Sequence, residues 1–162
     1  MTWIEPTALS HQRIMRESKT VAIVGASDNP ARASYFVATY LLSSSHFNLF
    51  FVNPRLETLL GYPVYKSLAD IPEHVDIVDV FRKPVDIPDI LDEAIAIGAK
   101  TLWLQFGLSV PEVAEAGSKV GLNVVMNRCL KIEHARFHGG LHLAGFNTGV
   151  ISSVRNAKKG GS

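Results

Sequence analysis

The feature that most constrains the fold is an apolar run that stops at a single glycine. Residues 21–24 are Val-Ala-Ile-Val, and Gly25, Ala26 and Ser27 follow before a segment with the apolar spacing of a helix. A continuous apolar run of this length is typical of a parallel strand that is covered on both faces. Small residues directly after such a strand let backbone N–H groups approach a phosphate at the N-terminus of the following helix. The pattern therefore predicts a strand, a phosphate-binding loop and a helix.

This loop differs from the dinucleotide-binding fingerprint. G-x-G-x-x-G needs three glycines, and only Gly25 is present. An NAD-binding fold also places Asp or Glu after the second strand for the ribose hydroxyls, whereas Asn53, Pro54 and Arg55 stand here. A carboxylate would repel a phosphate on the ribose, but a guanidinium binds one through two parallel hydrogen bonds. The residues therefore favour an adenine nucleotide with a ribose phosphate, which leaves NADP and coenzyme A.

Strand-like and helix-like segments alternate along the chain. The predicted strands are residues 21–24, 47–52, 63–65, 75–81, 101–106 and 123–126, and the predicted helices are 7–17, 34–42, one that opens at 85–88 and stops at Gly98, and one from Pro111 to Gly121. This alternation predicts an α/β fold, a single doubly wound Rossmann-like domain with a parallel sheet of about five strands. We expect the domain to span residues 1–155 and residues 156–162 to be a disordered tail.

Composition limits the class of protein. A chain of 162 residues with 47% hydrophobic side chains can bury one core but has little length for a second domain. The net charge of +1 argues against a nucleic-acid partner. No apolar stretch approaches the roughly twenty residues that span a bilayer, and the features of a signal peptide are missing. We therefore expect a cytoplasmic protein without a membrane partner, and the single Cys129 agrees with a reducing compartment.

Seven short motifs follow one another over roughly residues 12–136. They are Val24-Gly25-Ala26-Ser27, Arg32-Ala33-Ser34-Tyr35, Val52-Asn53-Pro54-Arg55, Gly61-Tyr62-Pro63-Val64-Tyr65, Val75-Asp76-Ile77-Val78-Asp79-Val80-Phe81-Arg82, Gln105-Phe106-Gly107 and Met126-Asn127-Arg128-Cys129. In this order they resemble the stand-alone coenzyme A-binding proteins, whose Rossmann-like domain is related to the nucleotide domain of the succinyl-coenzyme A synthetase alpha subunit. The chain departs from that family at Ala33, where proline is more common.

The resemblance implies that the ligand is coenzyme A (CoA) or an acyl-CoA, held beyond the carboxyl ends of the strands. The residues expected to contact it are Gly25, Ala26, Ser27, Arg32, Ser34, Tyr35, Asn53, Pro54, Arg55, Val80, Phe81, Arg82, Gln105 and Gly107. Structural alternatives stay open for several of them. Ser27 could cap the first helix after the loop, Asn53 and Pro54 could form an ordinary turn, and Phe81 could belong to the core.

No catalytic residue or metal ligand is predicted. Cys129 has no identifiable His partner, so a buried structural cysteine is the favoured interpretation. His134, His138 and His142 recur every four residues, but Gly139-Gly140 interrupts the helix that would align them as metal ligands. We therefore expect a binding protein without chemistry of its own. The alternatives are an NADP-dependent oxidoreductase, an accessory subunit of an acyl-CoA ligase, and an interaction protein that uses the fold without a ligand.

Overall fold

A computed structural model of the protein describes residues 3–138. Its helices are α1 (Ala8–Glu17), α2 (Ala33–Ser44), α3 (Ile87–Ala96), α4 (Pro111–Lys119) and α5 (Leu130–His138). Its strands are β1 (Thr20–Val24), β2 (Asn48–Val52), β3 (Thr58–Leu59), β4 (Tyr62–Tyr65), β5 (Ile77–Val80), β6 (Thr101–Leu104) and β7 (Asn123–Val125). Short 3-10 helices at Leu68–Asp70 and Pro84–Asp86 precede β5 and α3. The expected tail at 156–162 lies outside the described residues.

Within residues 3–138, the strands form one sheet in the order β3-β4-β2-β1-β5-β6-β7. Neighbouring strands are parallel except β3 and β4, which are antiparallel. The chain moves outward from β1 to one edge and then returns to the other side of β1 at β5, so the strand order reverses between β1 and β5. Ligands of doubly wound sheets bind beyond the carboxyl ends of the strands at this position.

The predicted α/β fold with a doubly wound parallel sheet is confirmed. The sheet has more strands than the five or so expected. Strand β4 corresponds to the short strand predicted at 63–65, and β3, which pairs antiparallel with it at one edge, was not predicted. Helix α5 was also not predicted. Its buried positions include the polar residues Glu133 and His134 beside Leu130, so an apolar repeat does not mark its inner face.

The helices cover both faces of the sheet and bury a separate core on each. Helices α1, α2 and α5 pack on one face, where the core includes Met15, Ile23, Leu41, Phe51, Trp103 and Leu130. Helices α3 and α4 pack on the other, where the core includes Val78, Val80, Ile87, Leu91, Leu102 and Val113. Every residue of β1, β5 and β6 is buried, as expected for parallel strands covered on both faces, although Asp79 interrupts the apolar sequence of β5.

The starts of β1 and β5 are tied together by Asp76. One carboxylate oxygen, Asp76 Oδ2, accepts hydrogen bonds from the backbone N–H groups of Lys19 at 2.7 Å and Thr20 at 3.3 Å. Burial raises the pKa of Asp76, but the two backbone donors and the nearby His74 and Lys100 together lower it by more. The pKa of Asp76 therefore lies below its usual value. The contacts fix the register of β1 against β5 and thus the positions of their carboxyl ends.

No helix among residues 3–138 is long and apolar enough to cross a membrane.

Candidate functional site

An open groove of about 800 Å³ lies beyond the carboxyl ends of β1, β2, β5 and β6. It is lined by Gly25, Ser27, Arg32, Ala33, Ser34, Asn53, Pro54, Arg55, Phe81, Arg82, Lys83, Gln105, Phe106 and Leu108. Most of the residues expected to contact a ligand are therefore brought together in one place. Of the lining residues, Ala33, Lys83, Phe106 and Leu108 were not among the predicted contacts, although each lies beside a predicted residue in the sequence.

Four of the predicted contact residues do not line the groove. Ala26 is buried in the core on the α2 side, and Val80 is buried in the core on the α3 side. Tyr35 is half-buried and packs against the α2-side core. Gly107 is exposed, and its N–H donates to Asn127 Oδ1 at 2.7 Å. Because the side chains of Ala26 and Val80 face inward, a bulky residue at either position would disturb the core as well as the strand end.

Gly25 lies where the ends of β1 and β5 are in close contact. Its backbone has φ +87°, and a Cβ placed on it would lie 2.7 Å from the carbonyl oxygen of Phe81 and 2.8 Å from Cδ of Arg82. Residues that carry a side chain rarely adopt this φ, and a Cβ atom does not fit at these distances. Phe81 itself is half-buried, lining the groove and also contacting the core. The glycine is thus required by the contact between two strand ends.

The backbone amides of the loop after β1 are already hydrogen-bonded within the protein. The N–H groups of Gly25 and Ala26 donate to the Val52 carbonyl at 3.0 and 3.3 Å, and the N–H of Ser27 donates to Ser34 Oγ at 3.1 Å. Ser27 does not cap α2, because its Oγ accepts from the N–H of Asn29 at 3.0 Å. The expectation that the amides of Gly25 and Ala26 face a phosphate is therefore corrected, since the end of β2 supplies their acceptor.

The start of α2 has the properties expected of an anion site. Arg32 is the N-cap residue, and no side chain caps the helix. Ala33 and Ser34, in the first turn, line the groove. The first N–H groups of a helix have no partner within the helix, and together they carry partial positive charge that favours an anion. The first turn of α2 therefore offers backbone donors to an anion in this groove.

Asn53 positions the chain where β2 ends. Its Nδ2 donates to the Ala26 carbonyl at 2.7 Å, and its Oδ1 accepts from the N–H of Arg55 at 2.8 Å. The second bond closes an Asx turn, which is the structural role that Asn and Pro suggested. This turn places Arg55 at the groove and joins the end of β2 to the loop after β1.

Positive charge is concentrated in the groove. Arg32, Arg55, Arg82 and Lys83 line it, and no acidic residue is among its lining residues. Arg82 donates from Nε and Nη2 to Asp86 Oδ2 at 3.2 and 3.0 Å, whereas Arg32, Arg55 and Lys83 form no ion pair with any described residue. Because the whole chain has a net charge of only +1, this local excess points to a ligand with several negative charges.

The other half of the groove, at the end of β6, is mainly apolar. Phe106 lines it with 71% of its surface exposed, and Leu108 lies close by. Gln105 is the polar residue of this half, and its Oε1 is buried with no hydrogen-bond partner among residues 3–138. The groove can therefore hold a ligand that is polyanionic at one end and apolar at the other.

Asp79 is a buried carboxyl group in the middle of β5. It is fully buried, and neither of its oxygens has a hydrogen-bond partner in the described part of the chain. Burial raises the pKa of Asp79 well above its usual value, because a desolvated carboxylate is costly. The sequence signal that could have identified Asp79 is that a second acidic residue, besides Asp76, interrupts the apolar segment 75–81.

We expect Asp79→Asn to stabilise the protein increasingly as the pH rises. The folded protein retains a proton that an unfolded chain releases near pH 3.8, so the wild type loses stability as the pH rises from there towards the raised pKa. The loss is at most about 1.4 kcal/mol per pH unit, and the asparagine variant escapes it. Urea unfolding between pH 4 and pH 8 measures the difference, with Asp92→Asn on the exposed face of α3 as control. A difference between variant and wild type that does not change with pH would contradict this expectation.

No group of three or more His, Cys, Asp or Glu side chains in the described part of the chain is arranged to hold a metal ion. Cys129 is half-buried and packs against the α2-side core, in keeping with a structural cysteine. His134 is buried, and its Nδ1 shares a hydrogen bond of 2.8 Å with the Tyr40 hydroxyl. The side chain of His138 and the whole of His142 lie outside the described residues.

The chain is similar to several known proteins in sequence and in fold. The uncharacterized protein YneT of Bacillus subtilis is 32% identical over 130 residues, covering 80% of this chain and 96% of YneT. A hypothetical protein of Pyrococcus horikoshii has a solved structure with a TM-score of 0.76 and 35% identity, covering 84% of this chain and 98% of that one. An ADP-forming acetate–CoA ligase of Archaeoglobus fulgidus is 26% identical over 122 residues, which are 69% of this chain but only 18% of the ligase.

The family described as the CoA binding domain matches residues 19–135. This range contains β1 through most of α5, and with it every residue that lines the groove. The chain therefore belongs to the CoA-binding domain family.

Proposed function

We propose that the protein binds CoA or an acyl-CoA in the groove at the carboxyl ends of β1, β2, β5 and β6. One observation carries the proposal furthest. Three basic side chains line one groove without an ion-pair partner among residues 3–138: Arg32 at the uncapped start of α2, Arg55 after β2 and Lys83 after β5. A pyrophosphate and a ribose phosphate would supply the negative charge that this arrangement lacks.

The two halves of the groove suggest an orientation for the ligand. The pyrophosphate lies at the first turn of α2 near Arg32, and the ribose 3′-phosphate lies near Arg55. The pantetheine arm then runs towards Gln105 and Phe106, where the lining is apolar apart from the glutamine amide. Membership of the CoA-binding domain family supports this ligand over other polyanions.

We propose binding without turnover. The similarity to the acetate–CoA ligase spans less than one fifth of that enzyme, so the reaction of the whole ligase does not follow from it. The free thiol of the chain, Cys129, packs against the core and lies outside the lining of the groove. An acyl-CoA would therefore be held without a protein nucleophile beside its thioester.

The experiment that tests the proposal combines native mass spectrometry of the purified protein with calorimetric titration of CoA and NADP. We expect a retained mass equal to CoA or an acyl-CoA, or saturable binding of added CoA to ligand-free protein with NADP at least tenfold weaker. The same protein incubated with acetyl-CoA under reducing conditions should release no free thiol above background. Tighter binding of NADP than of CoA would favour the oxidoreductase alternative, and steady thiol release would overturn the absence of turnover.

A further inference from the structure

Two buried side chains, Asp79 within β5 and Gln105 directly after β6, have oxygens without a hydrogen-bond partner among residues 3–138. Asp79 pairs in register with Trp103 of β6, and Gln105 lies two residues beyond Trp103, where its N–H still donates to the Val80 carbonyl of β5 at 3.3 Å. Side chains alternate along an extended chain, so Gln105 follows Trp103 and Asp79 on the face covered by α1, α2 and α5. With neighbouring strands about 4.8 Å apart and a rise of about 3.3 Å per residue, such diagonal neighbours lie roughly 8 Å apart, within the combined reach of an aspartate and a glutamine side chain.

The unpaired atoms are all hydrogen-bond acceptors when Asp79 is ionised. They are both carboxyl oxygens of Asp79 and Oε1 of Gln105. An ionised carboxylate facing an amide oxygen, with no donor for either in the described part of the chain, would be costly in this apolar surrounding. A single proton on Asp79 removes the problem, because the acid O–H is a donor and Oε1 is the acceptor that lacks one.

Among residues 3–138, no group on the helices that cover Asp79 forms a hydrogen bond or ion pair with it. The titratable residues described as buried or half-buried on these helices are His11, Tyr35, Tyr40, Lys131, Glu133 and His134. His11 Nδ1 and Glu133 Oε1 bond each other at 3.2 Å, Tyr40 bonds His134, and Lys131 Nζ lies 5.7 Å from the centroid of the Tyr40 ring. The raised pKa of Asp79 agrees with a neutral acid in this position.

We propose that Asp79 is a neutral carboxylic acid that donates a hydrogen bond to Gln105 Oε1 and so directs the amide N–H of Gln105 into the groove, where it binds the thioester carbonyl of an acyl-CoA. The proposal rests on the proposed function and names its preferred ligand. Asp79 acts as a positioning residue, because it is fully buried and works through Gln105.

The chemistry around Gln105 favours a thioester. An amide is planar, so an inward-facing oxygen leaves its nitrogen directed away from Asp79. Phe106, with 71% of its surface exposed, and Leu108 lie beside it and offer apolar surface to an acyl group. A carbonyl oxygen joined to a short acyl chain matches one donor flanked by apolar side chains, whereas the free thiol of CoA supplies only a weak acceptor.

The test compares the binding of acetyl-CoA with that of S-ethyl-CoA, a thioether of similar size that has no carbonyl oxygen. Calorimetric titration of the wild type should show acetyl-CoA bound about five- to tenfold more tightly, the effect of one hydrogen bond. Asp79→Leu, which cannot donate, should lose this preference, and Gln105→Leu should lose it too. Asp79→Asn should retain it, because its amide still donates to Oε1. Asp92→Asn serves as the control for removal of an exposed acid.

Equal binding of the two ligands by the wild type, or an unchanged preference in folded Asp79→Leu, would overturn the proposal. If Asp79→Leu does not fold, infrared spectroscopy decides the protonation state. The carbonyl stretch of a protonated carboxyl should be present in the wild type at neutral pH and absent from Asp79→Asn, and its absence from the wild type would overturn the proposal. Failure of CoA and both derivatives to bind would refute the proposed function instead, so the two failures are distinguishable.

Discussion

Replacing Gly25 with alanine is expected to destabilise the fold by about 2–4 kcal/mol and to abolish measurable CoA binding. The added Cβ would lie 2.7 Å from the Phe81 carbonyl oxygen, which is backbone and cannot rotate away. A left-handed backbone conformation at a residue with a side chain costs about 1–2 kcal/mol, and overpacking adds about 1–3 kcal/mol, part of which is relieved when the strand ends move apart. If the clash is relieved, the ends of β1 and β5 move apart. The two sides of the groove then move apart as well, which is why CoA binding should be lost. Urea unfolding and calorimetric titration measure the two effects.

Gly61→Ala is the matched control for this substitution. Gly61 has φ +83°, close to that of Gly25, but nothing lies within 4 Å of an added Cβ. It lies in the turn between β3 and β4, away from the groove lining. We expect Gly61→Ala to show only the backbone cost, about 1–2 kcal/mol, and to bind CoA normally. Equal loss of stability in both variants, with CoA binding retained by Gly25→Ala, would contradict the role assigned to Gly25.

Removal of the 3′-phosphate from the ligand is expected to weaken binding by about ten- to a hundredfold. The reason is the loss of a charge-assisted hydrogen bond to Arg55, a contact of about 1.5–3 kcal/mol. Arg55 has no ion pair among residues 3–138, so its guanidinium is available to the ligand. Calorimetric titration of the wild type with CoA and with its analogue lacking the 3′-phosphate measures the difference.

The double-mutant cycle with Arg55→Gln assigns this loss to one residue. The variant should bind both ligands with nearly the same affinity, because the partner of the 3′-phosphate is missing. Arg32→Gln is the comparison variant, since Arg32 lies at the start of α2 where we place the pyrophosphate. Arg32→Gln should weaken the binding of both ligands and leave the ratio of their affinities unchanged. If Arg55→Gln still discriminates as the wild type does, the 3′-phosphate binds elsewhere.

The fold could be predicted well from the sequence because its strands differ sharply from its helices in pattern. The mainly apolar segments that became β1, β5 and β6 are buried on both faces, and the intervening helices lie close to their predicted bounds. The segments that escaped prediction have little pattern of their own. Strand β3 has two residues, and α5 buries Glu133 and His134, whose partners are distant in sequence.

The candidate site could be predicted as a set of residues but not in its hydrogen bonding. Local sequence indicates that Gly25 is needed, but the reason is the carbonyl of Phe81, a contact between residues far apart in the chain. The amides of Gly25 and Ala26 are taken by the Val52 carbonyl for the same kind of reason. Asp79 shows the limit most clearly, because the role we propose for it depends on two carboxyl oxygens that have no hydrogen-bond partner among residues 3–138.

The most direct test of CoA binding in this groove is a titration of isotope-labelled protein with CoA in which NMR spectroscopy monitors the backbone amide chemical shifts. We predict that the largest chemical-shift changes occur in the loop after β1 and the first turn of α2, and at residues 53–55, 81–83 and 105–108. A second cavity, of about 360 Å³, lies at the opposite ends of the strands and is lined by Trp3, Lys100 and Asn123 among others. Shifts confined to that cavity, or no saturable shifts at all, would contradict the account.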